Sequence, residues 1–402
     1  MRFGRLSILV LFMTLAVFSF SVYASGLRLT AQGAKALGFG GAFVAGADDP
    51  TAIFYNPAGI SNLSGTNIIF GGGVFYNSGF TEIKPSALSG KVLNMDSELF
   101  MTPTIFATTN LTPRITVGLG IYSPFGIESV WEDRWSGRES WDYPYETNLR
   151  TYSFNPALSY RVNSRLNLGF GIEYVRGSYD LKRYNTSLFE STLSETSGAG
   201  ISFNGGAQFF ANETTILGLS LRGPLKLDLD GTMKIGTNIT QDVTSELNLP
   251  LSVTFGYNYF PRDEMRVEID ATWTRWSGMD KFDMIAQNPI YSTSDEKKLE
   301  DKISISAGVE FRADYLYFRT GIAHVPSPLE EEFFDPTLPL NTYDAASVGI
   351  GLERGDVTID IGYFHIFKNE RKSFIRDGEY ISDSRMERQG DIFVLNFGYR
   401  IF

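Results

Sequence analysis

Residues 265–274 read Met-Arg-Val-Glu-Ile-Asp-Ala-Thr-Trp-Thr. Every second side chain is apolar (Met265, Val267, Ile269, Ala271, Trp273), and those between are charged or hydroxylated (Arg266, Glu268, Asp270, Thr272, Thr274). A period of two is that of a strand whose faces meet different surroundings. Leu166, Leu168, Phe170, Ile172 and Tyr174 alternate with Asn167, Gly169, Gly171 and Glu173 in the same way. So do Ile303, Ile305, Ala307, Val309 and Phe311 with Ser304, Ser306, Gly308 and Glu310, and residues 247–257 are apolar at every odd position.

Working outward, such runs predict fourteen strands, centred near residues 71, 104, 119, 154, 171, 205, 218, 252, 270, 307, 319, 348, 362 and 396. The connections predicted between them are of two kinds. Short turns fall at 110–114, 161–165, 212–214, 312–314 and 353–356. Stretches of about twenty residues fall near 77–99, 124–148, 177–199, 222–245, 277–301, 324–344 and 368–390. An even strand count, with short turns at one end and long loops at the other, describes an outer-membrane barrel with both termini in the periplasm. A soluble β-sandwich would have to place all seven long loops at one end.

The flanks agree. Arg2 and Arg5 precede an apolar run over 7–20, and Val22-Tyr23-Ala24 offers small residues for cleavage, so 1–24 reads as a signal peptide. An uncleaved anchor is the alternative, but the apolar core is short for a span. No later stretch approaches the roughly 20 apolar residues of a membrane helix, and a mean hydropathy of -0.09 is what alternating strands give. The last strand carries an apolar stripe, Phe393, Leu395, Phe397, Tyr399 and Ile401, and ends on Phe402. A terminal aromatic resembles the signal read by the barrel-insertion machinery, although Phe402 is one position out of phase. Forty Gly, 14% aromatics and no Cys suit a β-rich exported chain, and a charge of -11 argues against a nucleic-acid partner.

Residues 25–64 do not alternate. Fifteen of the forty are Gly or Ala, with Leu37, Phe39, Phe43, Ile53 and Phe54 among them and a turn at Asn56-Pro57-Ala58-Gly59. Fourteen strands enclose more space than side chains fill, since about eight is the number at which they can. The lumen therefore holds water or a plug, and residues 25–65 are long enough to be that plug, leaving 66–402 for the barrel. The other reading, a periplasmic tail, leaves Phe39, Phe43, Phe54 and Tyr55 without burial.

The segment 38–61, with Asn56, Pro57 and Ala58 following Phe54, resembles the N-terminal hatch of the FadL family of outer-membrane hydrophobic-compound transporters. Residues 118–126 (GLGIYSPFG), 247–250 (LNLP), 273–277 (WTRWS) and 318–323 (FRTGIA) match further family segments in order, so the likeness covers essentially the whole mature chain. What the resemblance implies is capture of a ligand by hydrophobic outer loops, movement of the hatch, and sideways exit into the membrane lipid at a kink in strand three. Long-chain fatty acids and mono-aromatic hydrocarbons are both carried by such proteins.

For the kink, Gly118 and Gly120 share a face and Pro124, Phe125 and Gly126 follow. Either they mark a lateral gate, or the glycines make room for the plug. Trp131, Trp135 and Trp141 in the second long connection, with Tyr143 and Tyr145, either cradle a ligand or join an interfacial belt. In the third, Leu181, Tyr184, Leu188, Phe189 and Leu193 are spaced for a short amphipathic helix, and the resemblance makes Leu188 and Phe189 groove residues. A fatty acid's carboxylate calls for a forked donor; Arg176 is the first candidate, then Lys302 and Arg319, each alternatively a lumen ion-pair member.

No enzyme is expected. His324 and His365 lack nucleophile or ligand partners in sequence, and Gly38-Phe39-Gly40-Gly41 lacks the context of a phosphate loop. No cofactor or metal is expected, and the barrel is expected to be a monomer. An open porin for small polar solutes is the competing class.

Overall fold

The computed structural model describes residues 27–84, 91–131, 144–185, 190–279, 281–296, 298–329, 338, 340–377 and 380–401. Among these, nineteen strand segments form one sheet, closed as an antiparallel barrel of fourteen strands. The strands are β1 (Thr66–Lys84), β2 (Lys91–Asn110), β3 in two pieces (Ile115–Tyr122 and Gly126–Val130), β4 (Pro144–Asn163), β5 (Leu166–Asn185) and β6 (Glu190–Asn212). Then come β7 in two pieces (Thr215–Arg222 and Leu225–Ile235), β8 in two (Ile239–Leu249 and Ser252–Arg262), β9 (Met265–Thr274, with Lys281–Ala286 beyond it) and β10 (Thr293–Glu296, then Lys302–Ala313). The set ends with β11 (Leu316–Val325), β12 (Tyr343–Arg354), β13 (Val357–Asp377) and β14 (Tyr380–Ile401). Each predicted strand centre falls in the strand of its own rank. β14 pairs with β1 from Ile401↔Thr66 to Asp383↔Lys84, which removes both sheet edges.

In the half nearer the short turns, the alternation sorts as expected. Phe255, Ile269, Ile305 and Ile322 point outward and are exposed, while Glu268, Asp270 and Glu310 point inward and are buried. An apolar exterior around a polar interior is the signature of a wall facing lipid.

The long connections differ from expectation: much of 177–199, 222–245 and 368–390 is strand. The cause is a reversal of polarity midway up the wall. On β7, Leu225, Leu227 and Leu229 point into the lumen while Lys226, Asp228 and Asp230 face out. β5 keeps its facing throughout, yet its inward residues change from Asn167 and Glu173 to Val175, Tyr179 and Leu181. Its outward residues change from Phe170, Ile172 and Tyr174 to Arg176, Asp180 and Lys182. The upper wall thus faces water outside and an apolar space inside.

The expected single alternation over 247–257 is two pieces of opposite facing. Leu247 and Leu249 point inward, the chain breaks at Pro250-Leu251, and Phe255 and Tyr257 point outward. The expected helix over 181–193 is likewise strand where described, with Leu181 opposite Ser194 and Lys182 opposite Leu193.

Candidate functional site

Residues 27–63 run inside the barrel as two short helices, α1 (Ala34–Gly38) and α2 (Ala52–Tyr55), and a 3-10 turn (Pro57–Asn62). Ala34, Ala36, Phe39, Phe43, Ile53 and Ile60 are wholly buried there. Small residues on both sides permit this closeness. A Cβ on Gly169 would lie 2.2 Å from the Ala58 amide, and one on Gly206 would lie 1.9 Å from Asn56 Oδ1.

Polar groups of the wall satisfy the segment's backbone. Gly40 and Gly41, at φ 71° and 92°, turn the chain so that four consecutive amides face β9. Asp270 Oδ2 accepts from Phe43 N (2.8 Å) and Val44 N (3.0 Å), and Glu268 Oε1 from Ala45 N (2.8 Å) and Gly46 N (2.9 Å). Arg266 Nη1 donates to Gly46 O (3.1 Å) and pairs with Asp48 (3.2 Å). Asn56 Nδ2 donates to Val44 O (2.8 Å) and to Ala207 O of β6 (3.1 Å), and Asn56 Oδ1 accepts from Ala58 N (3.2 Å). Asn56 therefore ties the Pro57 turn to the wall. Arg222 donates to Phe54 O (2.8 Å), pairs with Glu173 and covers the Phe54 ring at 4.4 Å.

The wall is interrupted at β3. Ladder pairing with β2 ends at Ile105↔Ile121. The second piece of β3 pairs with β4 from Gly126↔Arg150 to Val130↔Glu146, and among the described residues the chain just past it is joined to β2 by a single bridge, Met95↔Trp131. Among the described residues, 96–104 of β2 thus have no ladder partner on β3. The N-terminal segment lies at this break: Arg28 bridges Phe125, Leu29 N donates to Pro124 O (3.0 Å), and Gly126 N donates to Leu27 O (3.0 Å). Gln32 Nε2 adds bonds to Ser123 O (2.6 Å) and Leu29 O (2.8 Å). Pro124, having no N–H, cannot continue the ladder.

Pro124, Phe125 and Gly126 therefore stand at the break, but Gly118 and Gly120 do not. Both pair regularly with β2 and β4. A Cβ on Gly118 would lie 2.7 Å from Ile53 Cδ1, and one on Gly120 3.1 Å from Ile53 Cγ2. They make room for the plug; the bend comes after them, where the proline stands.

Above the segment lies an open-mouthed chamber with a cavity volume of about 160 Å³, floored by Gly40, Gly41, Val44, Phe54 and Tyr55. Its lining joins apolar residues (Leu27, Val325, Leu340, Phe364) to hydroxylated and charged ones (Ser220, Thr254, Thr272, Ser304, Lys302), and Leu27 and Leu340 connect it to the packed apolar cluster of the upper wall. Of the predicted carboxylate receptors, Lys302 lines the chamber and pairs with Glu300. Arg176 does not, because it faces outward on β5, beside Tyr152 and Tyr174 on the exterior. Arg319 also falls elsewhere: its side chain is 2% exposed and held by Glu310 (2.6 Å) and Asp360 (2.6 Å). Trp131 is no belt residue, being 2% exposed with Nε1 donating to Ser129 Oγ (2.8 Å). Leu188, Phe189, Trp135, Trp141, Tyr143 and Phe402 lie outside the described residues. His324 pairs with Asp344 and His365 with Asp391, each across to the neighbouring strand. Sequence reasoning passed over Gln32 and Arg28, although Leu27-Arg28-Leu29 is a short alternating run of its own.

Comparison with known proteins places this geometry. The chain is 22% identical, over 88% of its length and 89% of the relative's, to a long-chain fatty acid transport protein of Escherichia coli. Its structure resembles a crystal structure of a Pseudomonas aeruginosa FadL homologue (TM-score 0.83, 18% identity, 94% of this chain and 100% of that one). It also resembles the Pseudomonas putida toluene transporter TodX (TM-score 0.73, 15% identity, 94% and 100%). The model of the outer membrane protein transport protein family (OMPP1/FadL/TodX) matches residues 15–400. The chain belongs to that family, and is an outer-membrane β-barrel transporter of hydrophobic compounds.

Proposed function

We propose that the protein takes up long-chain fatty acids, and that they leave sideways through the break in β3. Residues 1–24 are removed as a leader, and residues 25–65 act as a hatch that moves during transport. The ligand is caught at the outer end, where Leu188 and Phe189 contribute, passes into the chamber and exits past Pro124, Phe125 and Gly126. The observation that carries this reading is a chamber above a filled lumen, joined through Leu27 and Leu340 to the apolar upper wall and lying beside a stretch of wall unpaired among the described residues.

Energetics favour that exit. At about 0.8 kcal/mol per methylene, moving a tail of about sixteen carbons into water costs on the order of 10 kcal/mol. Moving it from the apolar side of the chamber, at Leu27, Val325, Leu340 and Phe364, into lipid avoids that exposure. The polar lower lumen, occupied by residues 27–63, offers such a tail no favourable route. Uptake of mono-aromatic hydrocarbons is the second reading, favoured by the likeness to a toluene transporter.

Labelled oleate uptake into cells lacking other transporters for it, with and without this protein, tests the reading. Planar-bilayer recordings accompany it, since large, steady open channels together with no gain in oleate uptake would replace it with an open porin.

A further inference from the structure

The basic side chains around the chamber are not equivalent. Arg222 is paired with Glu173, and Lys302 with Glu300. Arg28 also lines the chamber, yet it makes no ion pair among the described residues, and its buried Nε has no hydrogen-bond partner. Its electrostatic neighbours are Arg222, Glu173 and Tyr55. Glu173 is the one carboxylate among them and is paired with Arg222, so these groups together carry a net positive charge. Asp270, the acid in the floor, is engaged by the Phe43 and Val44 amides.

The corner is also well placed. The backbone of Arg28 bridges Phe125 at the β3 break, and its neighbours Leu27 and Leu29 are each 1% exposed. Arg28 is half-buried, its Nε is shielded from solvent without a partner, and such a donor left unbonded is unfavourable. A ligand carboxylate would complete it through two parallel N–H···O bonds, the geometry for which a guanidinium is shaped. The tail would then lie along the apolar side of the chamber, at Val325, Leu340 and Phe364.

We infer that Arg28 is the receptor for the ligand's carboxylate, so that the chamber selects an anionic amphiphile over a neutral hydrocarbon. The inference rests on the reading that this chamber holds the transported ligand, and it names the class.

The test titrates the purified full chain in detergent with oleate and with methyl oleate, at mildly alkaline pH where the acid is ionised. The wild type, Arg28→Gln and Arg28→Lys are compared, each first shown to retain the heat-modifiable gel mobility of a closed barrel. The wild type is expected to prefer oleate by roughly 10- to 100-fold, the range for a charged hydrogen-bonded contact. Arg28→Gln should lose that preference with methyl oleate affinity unchanged, and Arg28→Lys should keep part of it. Equal wild-type affinity for acid and ester would overturn the inference while leaving the chamber as the binding site. So would equal losses of both in Arg28→Gln, or oleate binding unaltered by it. If the wild type binds neither oleate, methyl oleate nor toluene, the chamber reading fails and this inference with it.

Discussion

Removing the carboxylates of Glu268 and Asp270 together should unseat residues 43–46 and let the lumen conduct. These two groups accept four plug amides at 2.8–3.0 Å. In Glu268→Ala/Asp270→Ala the four N–H groups lose their acceptors. An unsatisfied buried donor costs about 1–3 kcal/mol. Asp270 borders the chamber, from which water can enter, so the low end applies and the total is about 4 kcal/mol. That is roughly a 10³-fold rise in the ratio of open to seated plug, at 1.4 kcal/mol per tenfold. Single-channel recording reads this directly as open-state occupancy. Both residues face the lumen, so the lipid-facing side of β9 is unaltered and the closed barrel is expected to survive heat-modifiability gels. Thr254→Ala, which removes a hydroxyl bonded to Thr272 on the same wall, serves as the control. Occupancy within tenfold of the wild type would mean that these amides do not hold the plug, and the account of its seating would be wrong.

Three further outcomes follow from the same geometry. Gly206→Val puts a side chain where Asn56 Oδ1 now sits, so the 56–58 turn should shift and conductance rise in a barrel that still assembles; wild-type conductance would refute this. Gly120→Val pushes on Ile53, Tyr122 and Phe106, and oleate uptake should fall while gel mobility is unchanged; undiminished uptake would remove any role for that contact. Gln32→Leu removes the bonds to Ser123 O and Leu29 O, worth about 0.5–1.5 kcal/mol each. Amide exchange in peptides covering 27–32 and 123–130 should then quicken by about tenfold or more, and unchanged protection would show that Gln32 does not staple the break.

The barrel was legible because lipid is an unforgiving solvent. An exposed backbone group or charge facing hydrocarbon is costly, so the outward face of the lower wall has to be apolar at every second residue. Met265, Val267 and Ile269 announce that face without help from the rest of the chain. The plug was legible for a complementary reason: fourteen strands leave a void, and residues 25–64 combine small residues with aromatics that need cover. Which side chains meet in the lumen was not legible. Arg176 looks like a lumen cation by composition and faces water outside, because parity alone cannot tell which face the membrane occupies.

Facing becomes readable once each strand is treated as crossing two solvents. Below the boundary lipid demands an apolar exterior; above it water demands a polar one, and the enclosed face is free to take the opposite character. β5 obeys with no break, exchanging Ile172 and Tyr174 outside for Arg176 and Asp180 while Glu173 gives way to Val175 inside. β8 arrives at the same result by the other route, keeping odd residues apolar and reversing their direction at Pro250-Leu251. A proline within a long alternating run therefore marks where facing can change hands. Pro124 belongs to the same class, but there the ladder to β2 is lost as well, and the N-terminal segment supplies backbone partners through Leu27 and Leu29. On its β2 side this part of the wall thus takes its backbone hydrogen bonds from the N-terminal segment and not from a neighbouring strand, which is what the proposed sideways exit requires.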